Sequence, residues 1–192
     1  MGAGARRGRA RHLFSETKME MESREIQPGE VMDQTIDSLE DVVGLFDSHL
    51  ERLCEDIRTS PFPDASPEFD RADWFAGLGF VACQGYMTDV RTLVVCRPKD
   101  TATLLRLGPV LPSGQPFALV VSEAANHWKH RWESEDRRTT RRANVLKNDG
   151  GTGDYSCFFA LVALCEPEQP RFGHLLPRLI EWRDAVWADS TP

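Results

Sequence analysis

One short stretch of this chain carries its densest cluster of polar and ionisable side chains, on a predicted apolar helix. It runs Asn126-His127-Trp128-Lys129-His130-Arg131. On a helix, Asn126 and His130 are four residues apart and share one face, with Lys129 beside them. An imidazole can exchange a proton near neutral pH, and an amide or an ammonium can stabilise charge that develops on a phosphate. Asn126 and His130 are therefore the candidate catalytic residues; the alternative is an exposed helix end that makes ordinary polar contacts.

Cations are concentrated in and just after this stretch. Clustered cations are almost all that phosphate binding requires, so these side chains are candidate contacts to RNA or phosphate. The candidates are Lys129, Arg131, Arg137, Arg138, Arg141 and Arg142. Two alternatives stay open for the arginines from 137 to 142. They can be solvated, or they can pair with the acidic first helix of the same molecule.

Metal, cofactor and thiol chemistry have weak support in the sequence. Glu123, His127 and His130 offer ligand atoms, but neither a HExxH nor a CxxC pattern is present, so no metal site is expected. No Gly-rich phosphate loop is present either, and no cofactor is expected. The five cysteines are widely spaced and lie mostly in apolar stretches. They are expected to be core residues of a protein in a reducing, cytoplasmic setting.

Charge divides the chain into unequal parts. Residues 1–18 hold five basic residues and one acid, whereas residues 19–70 hold fifteen acids against three arginines. The head lacks the apolar core of a secretory signal, so residues 1–25 are expected to be a disordered tail or a mis-called start. Residues 26–190 are expected to form one helical domain. No run of about 18 apolar residues occurs, which argues against a membrane-spanning protein.

The clearest periodicity in the chain lies between residues 31 and 58. Apolar residues recur there at alternating steps of four and three, which predicts a helix with a single apolar stripe. The stripe comprises Met32, Ile36, Leu39, Val43, Phe46, Leu50, Leu53 and Ile57. A stripe of this kind is typical of a bundle helix that faces its own core, although it can also form the seam of a homodimer.

Further helices are expected along the rest of the chain. They are predicted to start at Asp70 or Asp73, at residue 100 or 101, near Phe117, at Tyr155 after an Asp154 cap, and near Pro177. Residues 62–67 are predicted to be a Pro-rich linker. Residues 93–97 and 117–121 also suit strands, and helix is favoured for the second segment because its pattern continues beyond ten residues. The predicted fold is an irregular all-α bundle of five or six helices.

The string AANHWKH over residues 124–130, with the sequence that follows it, resembles a pattern found in uncharacterised bacterial helical proteins similar to the HEPN superfamily. That pattern is Ala-Asn-aromatic-aromatic-Lys-His, and the resemblance covers about 25 residues. It implies a helical bundle, usually dimeric, of a family in which many members are metal-independent ribonucleases of defence or toxin–antitoxin systems. Their motif places an Arg before a polar residue, and a His four residues beyond that polar residue. Asn126 matches the polar residue and His130 the catalytic His, but Ala125 occupies the Arg position.

The alanine at position 125 decides between the functions that the resemblance implies. Arginine would hold the scissile phosphate by paired hydrogen bonds that alanine cannot make. The first hypothesis is therefore a non-catalytic or degenerate HEPN-like protein that binds RNA, a nucleotide or a protein. The second is an active ribonuclease that uses His130 with Asn126. The third is a helical module that dimerises through residues 32–57 and has no ligand site.

Overall fold

The described part of the chain is helical. The computed structural model describes residues 35–61, 66–94, 100–132, 145–146 and 155–190, all of which belong to the compact unit Asp33–Pro192. Helix accounts for 81% of these residues, and none of them lies in a strand. The predicted all-α bundle is confirmed. The expected tail over residues 1–25 lies outside the described residues.

Six α-helices and one 3-10 helix make up the described fold. They are α1 (Thr35–Thr59), α2 (Ser66–Val94), α3 (Thr101–Leu104), α4 (Phe117–His130), α5 (Ser156–Cys165), the 3-10 helix (Phe172–Leu175) and α6 (Leu176–Ser190). The favoured helix over 117–121 is confirmed as the start of α4. Of the ambiguous segment 93–97, the first two residues end α2 and the others lie outside the described residues.

Two predicted boundaries are wrong. Helix α2 begins at Ser66, inside the predicted linker, because Pro67 suits the first turn of a helix, where its missing N–H costs nothing. The sequence also predicts that the short helix from residue 100 or 101 continues through Leu107 until Gly108-Pro109 ends it, but helix α3 ends at Leu104. The chain turns after it, and Gly108 takes a φ of +75°, a left-handed conformation that favours glycine.

The apolar stripe of α1 faces the core of its own chain. Four of its members are buried, namely Leu39, Val43, Leu50 and Leu53, and Ile36, Phe46 and Ile57 pack against them. Met32 lies outside the described residues. Helix α1 packs mainly on α2. The interpretation of the stripe as the inner face of a bundle helix is therefore confirmed.

Helix α2 is the central element and packs against α1, α4, α5 and α6. Two of its glycines allow close approach of aromatic rings. A Cβ at Gly77 would overlap the Trp128 ring, and a Cβ at Gly79 would overlap Phe172. The sequence predicts that close packing against a neighbour offsets the weak helix propensity of Gly77, Gly79 and Gly85. The structure confirms this prediction at the first two positions. The prediction is wrong at Gly85, where a Cβ would meet nothing within 4 Å.

Two carboxylates on the long helices cap later helices from a distance. Asp73 Oδ1 accepts the N–H groups of Cys157 at 2.8 Å and Phe158 at 3.0 Å, in the first turn of α5. Asp47 does the same for Phe172 at 2.7 Å and Gly173 at 2.9 Å. The predicted cap of α5, Asp154, lies outside the described residues. The free N–H groups of this helix are thus satisfied from α2 rather than by a neighbour in sequence.

The four cysteines within the described residues are buried or half-buried. Cys83, Cys157 and Cys165 are buried, Cys54 is half-buried, and all four are free thiols. Burial raises the pKa of Cys83 to about 12 and that of Cys165 to about 11, so these thiols stay protonated and unreactive at neutral pH. The expected role of small core residues is confirmed for the three buried cysteines, and the fifth cysteine, Cys96, lies outside the described residues. No described helix is both long and apolar enough to cross a bilayer.

Candidate functional site

A hydrogen-bond network joins α2 to the second half of α4. Gln84 of α2 donates from Nε2 to the carbonyl and hydroxyl of Ser122, at 3.2 and 3.1 Å, and to Asn126 Oδ1 at 3.1 Å. Lys129 Nζ donates to Gln84 Oε1 at 2.6 Å. A single amide therefore fixes one face of α4, including two of the residues singled out in the sequence.

A cavity of about 280 Å³ opens beside this network, and we call it the α2–α4 cavity. It is lined by Gln84, Met87, Thr88, Arg91, Thr101, Leu105, Ser122, Asn126 and Lys129. Two of these side chains are cationic, and no Asp or Glu is among the lining residues, all of which belong to the described part of the chain. The cavity therefore combines positive charge with amide and hydroxyl groups, as an anion site requires.

Arg91 supplies the guanidinium of the cavity. Its Nη2 donates to Thr101 Oγ1 at 2.6 Å, which ties α2 to the start of α3. Its Nε is buried and has no hydrogen-bond partner among the described residues. The described residues therefore leave this guanidinium incompletely satisfied. Such a group is unusual, since most buried polar groups in proteins are paired and an unpaired one costs about 1–3 kcal/mol.

The two predicted catalytic residues are placed differently. Asn126 lines the α2–α4 cavity beside Lys129, whereas the half-buried His130 is not among its lining residues. His130 follows Lys129 directly, so its side chain points about 100° further round the helix. All the residues that line the cavity are described ones, and none of them is His, Asp or Glu. The cavity walls therefore hold no side chain that exchanges a proton near neutral pH.

Residue 125, the Arg position in the resemblance, lies in the core. Ala125 is fully buried, with an exposed fraction of 0%. An arginine side chain at this position would displace core packing and bury a charge. In this structure a guanidinium reaches the neighbourhood of Asn126 from α2 instead, through Arg91.

Arg131, only two residues beyond Lys129, lies in a different environment. Its Cζ lies 3.3 Å from the centroid of the Trp128 ring, 5.0 Å from that of Trp74 and 5.1 Å from that of Trp132. Trp74 meets Trp128 edge to face at a centroid distance of 4.9 Å. We call these four residues the Arg131–tryptophan cluster. Its aromatic rings already attract the positive charge that was predicted to contact phosphate.

A half-buried acid, Asp73, lies next to the cluster in the fold. Burial raises the pKa of Asp73, and the two capped N–H groups together with His127 and Arg131 lower it in part. His127 and Arg131 thus interact electrostatically with the carboxylate that caps α5. This side of α4 is therefore tied to the core by cation–π and electrostatic contacts.

The remaining predicted site residues are not brought into the cavity. Arg137, Arg138, Arg141 and Arg142 lie outside the described residues, so their contact with RNA stays a prediction. Glu123 and His127 do not line the cavity. Within the described ranges, no group of three or more His, Cys, Asp and Glu side chains is arranged to hold a metal ion.

Several cavity residues come from elements that sequence reasoning did not connect with α4. Gln84, Thr88 and Arg91 follow at steps of four and three on α2, so they share one face of a helix that is otherwise largely apolar. That polar stripe was the signal available in the sequence. Thr101 adds a hydroxyl from the start of α3.

The arrangement is suited to binding an anion. Guanidinium and ammonium groups donate strong hydrogen bonds to phosphate or carboxylate oxygens, and the neighbouring amide and hydroxyl groups can donate or accept others. The chain matches no protein-family model, no curated protein and no solved structure.

Proposed function

We propose that this protein binds a phosphate group of a nucleotide or of RNA in the α2–α4 cavity without cleaving it. The observation that carries the proposal is that Arg91 and Lys129, which belong to different helices, line the same cavity. The lining residues of this cavity all belong to the described part of the chain, and no carboxylate is among them. A dianionic phosphate can accept hydrogen bonds from both cations at once. No carboxylate among these lining residues competes with a phosphate for the guanidinium of Arg91.

The size of the cavity supports a small group rather than a whole large ligand. Its volume of about 280 Å³ lies just below the range of about 300–1,000 Å³ typical of small-molecule sites. A phosphate with part of its sugar suits this volume, and the rest of a nucleotide would extend past the rim. Met87 and Leu105 add apolar wall against which a sugar can pack.

Binding without cleavage is favoured over ribonuclease activity. A general base has to reach the proton that it removes, and His130 does not line the cavity. The buried Ala125 also withholds the cation that the HEPN-like motif would place there. A non-catalytic HEPN-like protein in the cytoplasm remains the proposal that unites the resemblance with this geometry.

The alternative of a dimerisation module receives less support. The α1 stripe that would form the seam is covered by its own core, so a homodimer through residues 35–59 would have to use the opposite face of the helix. A dimer of that kind is compatible with phosphate binding and does not replace it.

Titration calorimetry with inorganic phosphate and with AMP tests the proposal at low ionic strength. Arg91→Gln and Lys129→Gln each remove a charge-assisted hydrogen bond worth about 1.5–3 kcal/mol, so each should weaken binding about tenfold or more. Arg106→Gln is the matched control, because Arg106 is exposed, lies close to α3 in sequence and does not line the cavity. Equal affinities for the three variants and the wild type would overturn the proposal.

A cleavage assay separates binding from catalysis. Wild type and His130→Ala are incubated with varied RNAs, with and without EDTA, after circular dichroism has shown that both are folded. The proposal predicts that neither protein cleaves any of them. Metal-independent cleavage that the substitution abolishes would establish a ribonuclease instead.

A further inference from the structure

A second and larger cavity lies on a different part of the bundle, and we infer that it binds a free α-amino acid with an apolar side chain. The cavity has a volume of about 640 Å³, and we call it the Arg178 cavity. Its lining residues come from the turn before α4, from α5 and the residues that follow it, and from α6. They are Leu111, Pro112, Ala163, Leu164, Glu166, Pro167 and Arg178.

Arg178 is a half-buried cation with no carboxylate partner among the residues that the structure describes. Its Nη1 donates to the carbonyl of Leu164 at 3.0 Å, and its Cζ lies 5.9 Å from the centroid of the Phe117 ring. Both contacts leave its charge uncompensated, and they hold the guanidinium in place beside the cavity. A fixed guanidinium with free donors is the group that proteins use to bind a carboxylate through paired hydrogen bonds.

Glu166 brings the opposite charge to the same cavity. It is the first residue after α5, and it is exposed. Although both residues line the cavity, Glu166 and Arg178 form no ion pair with each other, and neither has an ion pair with another residue in the described part of the chain. A ligand that carries a carboxylate and an ammonium can satisfy both, whereas a simple anion would leave Glu166 unpaired and face its repulsion.

The other walls of the cavity are apolar. Leu111 and Leu164 are buried, and Pro112, Ala163 and Pro167 complete the lining. This surface suits an aliphatic or aromatic side chain, because burial of apolar area away from water is favourable. The volume lies within the range typical of small-ligand sites. Charge and shape together therefore indicate an amino acid such as leucine.

This site is independent of the α2–α4 cavity, because the two share no lining residue. Loss of phosphate binding would leave amino acid binding untouched, and the reverse also holds. The two proposals can consequently fail separately.

Calorimetry with three related probes tests the inference. L-leucine carries both charges, 4-methylpentanoate lacks the ammonium and 3-methylbutylamine lacks the carboxylate. Leucine should bind at least tenfold more tightly than either analogue. Equal binding of leucine and 4-methylpentanoate would overturn the role of Glu166, and the absence of leucine binding at millimolar concentration would overturn the site.

Two substitutions assign the charges. Glu166→Gln should weaken leucine binding about fivefold or more and strengthen the binding of 4-methylpentanoate, because the substitution removes the repulsion of its carboxylate; the exposed Glu181→Gln on α6 is the control. Arg178→Gln should abolish binding of leucine and of 4-methylpentanoate, and its thermal unfolding is measured because Arg178 also holds the end of α5. If Arg178→Gln does not fold, Glu166→Gln decides alone, since Glu166 is exposed. Unchanged leucine affinity in Glu166→Gln contradicts the inference.

Discussion

Lys129 and Arg131 are both cations near the end of α4, and the fold gives them opposite surroundings. Lys129 reaches Gln84 and lines a cavity with Arg91, whereas the guanidinium of Arg131 lies against the Trp128 ring and close to two more tryptophans. The first charge lies at the wall of a cavity, and the second is held by aromatic rings. Two cations that look equivalent in a sequence therefore have different contacts, because different parts of α2 pack against them.

The largest expected effect is on the tryptophan side of this comparison. Gly77→Ala would place a methyl group inside the Trp128 ring, so we expect a loss of about 2–3 kcal/mol in the free energy of unfolding. Gly85→Ala lies on the same helix with open space around it and should gain about 0.5–1 kcal/mol. Chemical denaturation of the two variants measures the difference. Equal stabilities would show that Trp128 does not require the glycine.

The next largest expected effect on the free energy of unfolding concerns Asp73, the carboxylate beside the Arg131–tryptophan cluster. Asp73→Ala leaves the N–H groups of Cys157 and Phe158 without their acceptor, so we expect a loss of about 2 kcal/mol in the free energy of unfolding. Asp73→Asn keeps an oxygen that can accept both bonds and should lose less. Urea denaturation at neutral pH distinguishes the two. An alanine variant as stable as the asparagine variant would argue against the cap.

The same residue predicts a pH dependence. Burial raises the pKa of Asp73 in the folded state above its ordinary value, so the folded protein takes up this proton more readily than the unfolded chain. As the pH falls below neutral, the free energy of unfolding of wild type should therefore rise relative to that of Asp73→Asn. This relative gain is lost as the pH rises through the raised pKa. A flat difference between the two proteins from pH 4 to 7 would contradict this sign.

A smaller effect separates the two cations by stability alone. Arg131→Gln removes the cation from the tryptophan rings, so we expect a loss of about 1 kcal/mol. Lys129→Gln affects an exposed side chain and should change stability by less than about 0.5 kcal/mol. Thermal and chemical unfolding of both variants give this ordering. A Lys129 variant that loses as much stability as the Arg131 variant would remove the distinction.

Local pattern predicted those parts of the fold that depend on residues close in sequence. The steps of four and three in α1 identified its buried face because a helix repeats on that period, and the continued apolar pattern identified α4 from Phe117. The start of α2 was misplaced because Pro67 was taken as a linker signal, although proline is equally at home in a first helical turn.

The sequence predicted only the α4 residues of the candidate site and not those of α2. Asn126 and Lys129 were identified because they are neighbours on one helix, but Gln84 and Arg91 reach the same cavity only through the packing of α2 on α4. Which helix packs on which is set by contacts between residues about 40 positions apart. The polar stripe on α2 indicated that one face was unusual without indicating what it met. The cap that Asp73 provides for α5 was missed for the same reason.

The most direct test compares the two cations in one binding experiment. AMP is titrated into wild type, Lys129→Gln and Arg131→Gln under identical conditions, after both variants have been shown to be folded. The account predicts a loss of about tenfold or more for Lys129→Gln and a change of less than about twofold for Arg131→Gln. An Arg131 variant that loses as much affinity as the Lys129 variant, or a Lys129 variant that binds like wild type, would contradict it.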